Sequence, residues 1–214
     1  MSLTAAERTY AEACEFTDAL AIDPSAPQVV YAAGWFSSTG DCSAIDGHFL
    51  LKSTDRGASF AKVSLGNAEI DDIVIDPADG RTIYLSGLFF DRSSGSECGT
   101  HTFLKSSDSG GSFVVADAGL SSSINPGACP DVIGGFVTDP RNPGRLFAYA
   151  PFAGLYETRD GAKTWTQLAN ALAFGTVDPF LPDGIFSRVP IALDPHWPTR
   201  LYLPGATLLQ VEVR

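Results

Sequence analysis

Three aspartates recur in nearly the same company. Asp55 sits in STDRGASF (53–60), Asp108 in SSDSGGSF (106–113) and Asp160 in TRDGAKTW (158–165). Each has a Ser or Thr two residues before it and another four residues after it, and an aromatic closes each phrase: Phe60, Phe113 or Trp165. A carboxylate so placed can ligate a cation or move a proton, or it can accept N–H bonds within its own turn, as Asx residues do. The second role also accounts for the glycine, which supplies backbone freedom, and for the aromatic, which is expected to tuck between strands. Asp55, Asp108 and Asp160 are therefore read as fasteners of hairpins.

Other side chains are candidates for chemistry by position. Asp18 and Asp71 stand five residues ahead of Asp23 and Asp76, at equivalent strand starts, with Asp72 beside the second. A glycosidase needs two carboxylates roughly 5 to 9.5 Å apart, one with a raised pKa. Asp18 and Asp71 are the catalytic candidates on that criterion. The competing reading is a solvated acidic rim shared with Asp91, Glu97, Asp131 and Asp183. Trp35, Phe36, Phe89 and Phe90 open two corresponding long segments, as a ligand-stacking platform or as core. His48 and His101 close those segments, but no third ligand is spaced to match, so neither a metal centre nor a cofactor is expected.

The elements that position these groups follow from a second recurring phrase. IDPSAPQVVYAAG (22–34), IDPADGRTIYLSG (75–87), TDPRNPGRLFAYA (138–150) and LDPHWPTRLYLPG (193–205) alternate with the aspartate turns, which are 53 and 52 residues apart. A near-constant step is an internal repeat. Each unit reads as four strands: one ending in Asp-Pro, one rich in β-branched and aromatic residues, one entering the aspartate turn and one leaving it. Proline lacks the donor a central ladder needs, so Asp-Pro makes the first turn. About 50 residues per four-stranded antiparallel unit, in apolar runs with little alternation, is the signature of β-propeller blades buried on both faces. The fold class is all-β, with about four blades over 15–214 and an N-terminal extension over 1–14. TAAERTYAEA reads as helix, with Thr4 and Glu7 as a capping box. The fourth unit carries no aspartate turn, which points to a portion of a larger propeller or an open array. Blades 1 and 2 carry about eleven extra residues between their second and third strands, so a binding surface is expected over them.

Of the 214 residues 44% are hydrophobic and 18% charged, with 21 Gly and 14 Pro, a composition that suits a turn-rich β protein. No apolar span is long enough for a membrane helix, and no membrane insertion is expected. The net charge of −11, with 14 scattered Lys and Arg, argues against nucleic-acid partners. Cys14, Cys42, Cys98 and Cys129 form no CxxC pair and fall in loop-like stretches, so disulfides in an extracellular or periplasmic setting are expected. Pairing Cys14 with Cys42 and Cys98 with Cys129 gives the least separation, and the two other connectivities stay open.

The form S/T-x-D-x-G-x-S/T-F/W resembles the Asp-box, or bacterial neuraminidase repeat. Residues 53–60 and 106–113 match it in full, and 158–165 departs in having Gly161 before Ala162. Coupled to four Asp-Pro phrases, the pattern resembles the propellers of sortilin-type receptors, photosystem assembly factors and xyloglucan-cleaving glycosidases more than sialidases. The resemblance implies either a rigid platform for a protein or glycan ligand or a glycoside hydrolase propeller. Sialidases use an arginine cluster, to which Arg92, Arg141 and Arg188 correspond only by type. Xyloglucan-cleaving relatives place an aspartate just beyond the second strand, where this chain has AAGWFSS after Tyr31.

Overall fold

A computed structural model of the chain describes residues 14–37, 47–65, 68–89, 101–120, 133–150, 153–170, 191–197, 200–203 and 209–213. Their strands form four antiparallel sheets, each a meander in which neighbours in sequence are neighbours in space. The first holds β1 (Cys14–Ile22), β2 (Val30–Ser37), β3 (Gly47–Ser53) and β4 (Ala61–Lys62). The second holds β5 (Ala68–Ile75), β6 (Ile83–Phe89), β7 (His101–Ser106) and β8 (Val114–Val115). The third holds β9 (Gly135–Thr138), β10 (Leu146–Ala150), β11 (Gly154–Thr158) and β12 (Thr166–Asn170). The fourth has three strands, β13 (Ala192–Leu193), β14 (Arg200–Leu203) and β15 (Leu209–Glu212). The N-terminal segment read as helix lies outside the described residues.

Each sheet is a blade, and the core lies between blades. Ala19, Tyr31, Ala33 and Leu50 of blade 1 meet Ile70, Ile73, Ile75, Ile83, Leu85 and Phe89 of blade 2 in one buried cluster. Tyr84 and Phe103 of blade 2 meet Phe136, Leu146, Ala148 and Tyr156 of blade 3 in the next. Phe147 and Leu155 of blade 3 meet Leu201 and Val213 in a third. Burial on both faces is why β10 and β11 show no exposed position and no polar alternation. The Asp-Pro turns form where the sequence indicates. The side chains of Asp23, Asp76, Asp139 and Asp194 each accept the amide two residues on, at 2.8, 2.8, 2.9 and 2.8 Å.

The aromatics closing the aspartate turns correct one expectation. Phe113 packs on the seam between blades 1 and 2 and Trp165 in the seam between blades 2 and 3, rather than between strands of their own blades. The Trp165 indole N–H donates to the Ala116 carbonyl at 2.8 Å, and its ring meets Phe103 edge-on at 5.1 Å. Phe60, with no seam beside it, is exposed.

Polar latches run across the same seams. The Tyr31 hydroxyl and the Lys52 ammonium of blade 1 both donate to the Ser109 carbonyl of blade 2, each at 2.8 Å. In blade 2, Lys105 donates to Gly161 of blade 3 at 2.9 Å. Tyr31 and Tyr84 face Lys52 and Lys105 across their own hairpins, so each ammonium also sits 5.4 Å over its tyrosine ring. Burial, with Asp23 and Asp108 nearby, pushes the Tyr31 hydroxyl up to about 12, so it remains a donor over the ordinary pH range. Blade 3 has Phe147 opposite Glu157 at these positions. Glu157 instead joins Arg145 at 2.7 Å and Arg159 at 2.9 Å, while Arg145 also reaches the buried Asp139 at 3.3 Å.

Removing one latch while keeping its ring tests the energetic reading. Tyr31→Phe is expected to lower unfolding free energy by about 1 kcal/mol, the usual net value of one hydrogen bond. Denaturant titration checks this, and a variant as stable as the parent would show that the latch adds nothing to packing.

Candidate functional site

The blades have two ends, and chemistry-bearing residues lie at both. At the lower end are the aspartate turns. Asp55 Oδ1 accepts the Ser59 amide at 2.8 Å and the Ser53 hydroxyl at 2.7 Å, while Oδ2 accepts the Ser59 hydroxyl at 2.6 Å. Asp108 repeats the arrangement with Ser112 and Ser106 at 2.8, 2.8 and 2.7 Å. Asp160 repeats it with Thr164 and Thr158 at 3.0, 2.8 and 2.6 Å and adds the Lys163 amide at 2.9 Å. Hydrogen bonds from the hydroxyl and amide four residues on, foremost among their causes, hold all three carboxyls at about 2. A general acid near neutrality needs the opposite shift.

Two consecutive left-handed residues shape each turn: Arg56 and Gly57 at φ 64° and 82°, Ser109 and Gly110 at 60° and 82°, Gly161 and Ala162 at 72° and 65°. The third turn thus moves its glycine to the first left-handed position. That leaves Ala162, buried, in the second.

At the upper end, a register shift falls between Thr17 and Ala19 in blade 1 and between Ile70 and Asp72 in blade 2. Asp18 and Asp71 are therefore the extra residues of two equivalent β-bulges on neighbouring inner strands, and bulges re-aim side chains where they occur. Gly34 and Gly87 oppose them, and a Cβ at either would overlap the carbonyl of Phe16 or Glu69. Asp18 is exposed, and Asp71 and Asp72 are half-buried. Asp72 Oδ1 accepts the Ile73 amide at 2.9 Å.

The bulge also sets the aromatics. Phe16 pairs with Trp35 across the hairpin, and the rings stack at 4.5 Å with 21° between planes. Phe16 is half-exposed. Phe36 lies over Gly47, where a Cβ would come within 3.1 Å of its ring. Trp35 and Phe36 are thus in strand β2 rather than in a loop. Phe89 is buried with the blade 1–2 core and presents no ring to solvent. Beside Trp35 on β3, His48 lines a cleft of about 150 Å³ between blades, with Lys62, Ser64 and Ile70. Its Nδ1 is buried and has no hydrogen-bond partner among the described residues.

The structure brings Trp35 together with Phe16 and His48, a grouping the sequence did not reveal. Phe90, Cys42, Cys98, Cys129, Asp91, Glu97, Asp131, Asp183, Arg92 and Arg188 lie outside the described residues. So do the side chains of Cys14 and His101. Among the described residues no three His, Cys, Asp or Glu side chains are grouped to hold a metal ion. Arg141 is at the lower end, donating to the His196 carbonyl at 3.2 Å.

No protein-family model matches the chain, and no curated protein matches it. Solved structures do. An ancestral GH74 enzyme aligns at TM-score 0.58 and 17% identity, covering 87% of this chain and 21% of its own. YCF48 from Cyanidioschyzon merolae aligns at TM-score 0.50 and 13% identity, covering 94% of this chain and 57% of its own. The blades are those of a β-propeller. The GH74 xyloglucanase from Xanthomonas campestris also aligns, at TM-score 0.44 and 18% identity, covering 89% of this chain and 36% of its own. The chain thus spans about a fifth of the GH74 enzyme and just over half of YCF48. The four sheets do not close into a ring among the described residues.

The depressed carboxyls give a pH signature. Their folded value of about 2 lies below the unfolded value of about 3.9, so their stabilisation is full above about pH 4 and lost as pH falls towards 2. The melting temperature is expected to fall through that window, and less steeply when all three are replaced by Asn. An identical decline in the triple variant would remove these turns from the acid response.

Proposed function

We propose that the chain is a non-catalytic propeller platform, displayed outside the cell or in the periplasm, that binds a protein or carbohydrate ligand over blades 1 and 2. The stacked Phe16 and Trp35 carry this reading. A half-exposed ring fixed against a second ring offers a rigid apolar face with little rotamer entropy to lose, which suits a sugar face or an apolar peptide side chain. The cleft beside it adds a histidine nitrogen in want of a partner. At the other end, the three turn carboxylates have their hydrogen bonds met within their own turns, consistent with the structural role of an Asp-box.

A second reading, a glycoside hydrolase propeller, is supported by one observation. Asp18 and Asp71 occupy matching bulges, and bulges are over-represented next to active sites. The fold itself hosts both roles.

Binding to glycan and peptide arrays, beside a hydrolysis assay on xyloglucan oligosaccharides, separates the two. Saturable binding without hydrolysis is expected, weakened at least tenfold by Trp35→Ala. Hydrolysis that stops in both Asp18→Asn and Asp71→Asn would overturn the platform and establish the enzyme.

A further inference from the structure

Blade 1 has an uncovered face whose counterpart in blade 2 is a buried seam. Leu20 and Ile22 of β1 correspond in register to Ile73 and Ile75 of β5. The isoleucines are 4% and 6% exposed, the blade 1 pair 63% and 55%. Phe60 is 44% exposed where Phe113 packs on the seam. The polar half of the seam is present as well. Arg56 holds the left-handed position of Ser109 and Gly161, whose carbonyls take the latches, and among the described residues no group donates to its carbonyl.

The matching half of such a seam is on this chain's own fourth blade. Tyr202 pairs with Gln210 across β14 and β15, as Tyr31 pairs with Lys52 and Tyr84 with Lys105. Leu201 and Leu203 are buried against blade 3, so alternation turns Tyr202 to the side away from it, beside the exposed Ala192. Tyr202 and Gln210 both carry donors able to reach a carbonyl.

We propose that blade 4 of one copy packs on blade 1 of a second, head to tail, repeating the seam between blades 1 and 2. Tyr202 and Gln210 take the Arg56 carbonyl, and Leu20, Ile22 and Phe60 are covered. A second copy is the occupant because this chain holds both halves of the seam, and among the described residues of one chain the first and fourth blades do not cover each other. Two copies of net charge −11 repel, so a contact of apolar groups and neutral donors strengthens with added salt.

Sedimentation equilibrium over a concentration series tests it. The parent chain is expected to exceed the mass of one chain, increasingly so with added salt. Leu20→Asp and Tyr202→Asp, on opposite ends, each stay at one chain. An equimolar mixture of the two recovers a dimer, because one intact end of each survives, and this shows that both variants fold. A parent that stays at one chain overturns the proposal, and so does a mixture that fails to associate while both variants melt like the parent. Loss of association in Leu20→Asp alone also overturns it, since that outcome marks two blade 1 faces meeting each other.

Discussion

A backbone carbonyl in each of the second and third aspartate turns ties its blade to the one before. It belongs to a residue held at positive φ, a conformation that costs about 1 to 2 kcal/mol for a residue with a Cβ and that Ser109 adopts. The turn's own hydrogen bonds offset this, with the carboxylate gathering two hydroxyls and an amide and the leading Ser or Thr hydroxyl accepting a second amide. The constrained carbonyl then faces the preceding blade, where Lys52 or Lys105 takes it and where the apolar seam closes around the contact. A motif that looks catalytic in one dimension is in three dimensions a fastening between sheets. Blade 3 shows what happens without it. Phe147 and Glu157 replace the tyrosine and lysine, Val213 packs into the seam, and a buried arginine pairs with Asp139 and Glu157 instead.

The candidate site depends on the same frame. The lower end is committed to turns, and the bulged carboxylates and stacked rings lie at the upper ends of β1, β2, β3 and β5. There the bulges at Asp18 and Asp71 set both the level of the carboxylates and the partner of Phe16. Glycines Gly34 and Gly87 are required opposite them because the carbonyl of the bulged strand comes too close for a side chain.

Much of the fold was legible because the repeat is written in turn chemistry. The Asp-Pro phrases and the glycine-bearing aspartate turns have few other conformations to adopt, so strand order and blade count follow from their spacing. Register at the upper end did not follow, since it depends on a single extra residue. Counting back from the Asp23 turn without the bulge pairs Phe16 with Phe36, whereas the bulge at Asp18 gives it Trp35. Phe36 and Phe89 stand at matching positions in their hairpins, yet Phe89 is core and Phe36 half-buried, because each seam buries the second blade's face and leaves blade 1's face open. The latch was invisible for a similar reason. Tyr31, Lys52 and Ser109 are far apart in sequence, and only the stacking of blades brings them together.

A double-mutant cycle between Lys52→Met and Asp108→Ala tests the latch most directly. The two side chains share no hydrogen bond in the structure, and the Ser109 carbonyl connects them. If the turn positions that carbonyl for the latch, losing Asp108 should make Lys52→Met less costly, so the double variant is more stable than the two single losses added together. Additive losses, within about 0.3 to 0.5 kcal/mol, would mean that turn and seam stabilise the fold independently and would contradict the account.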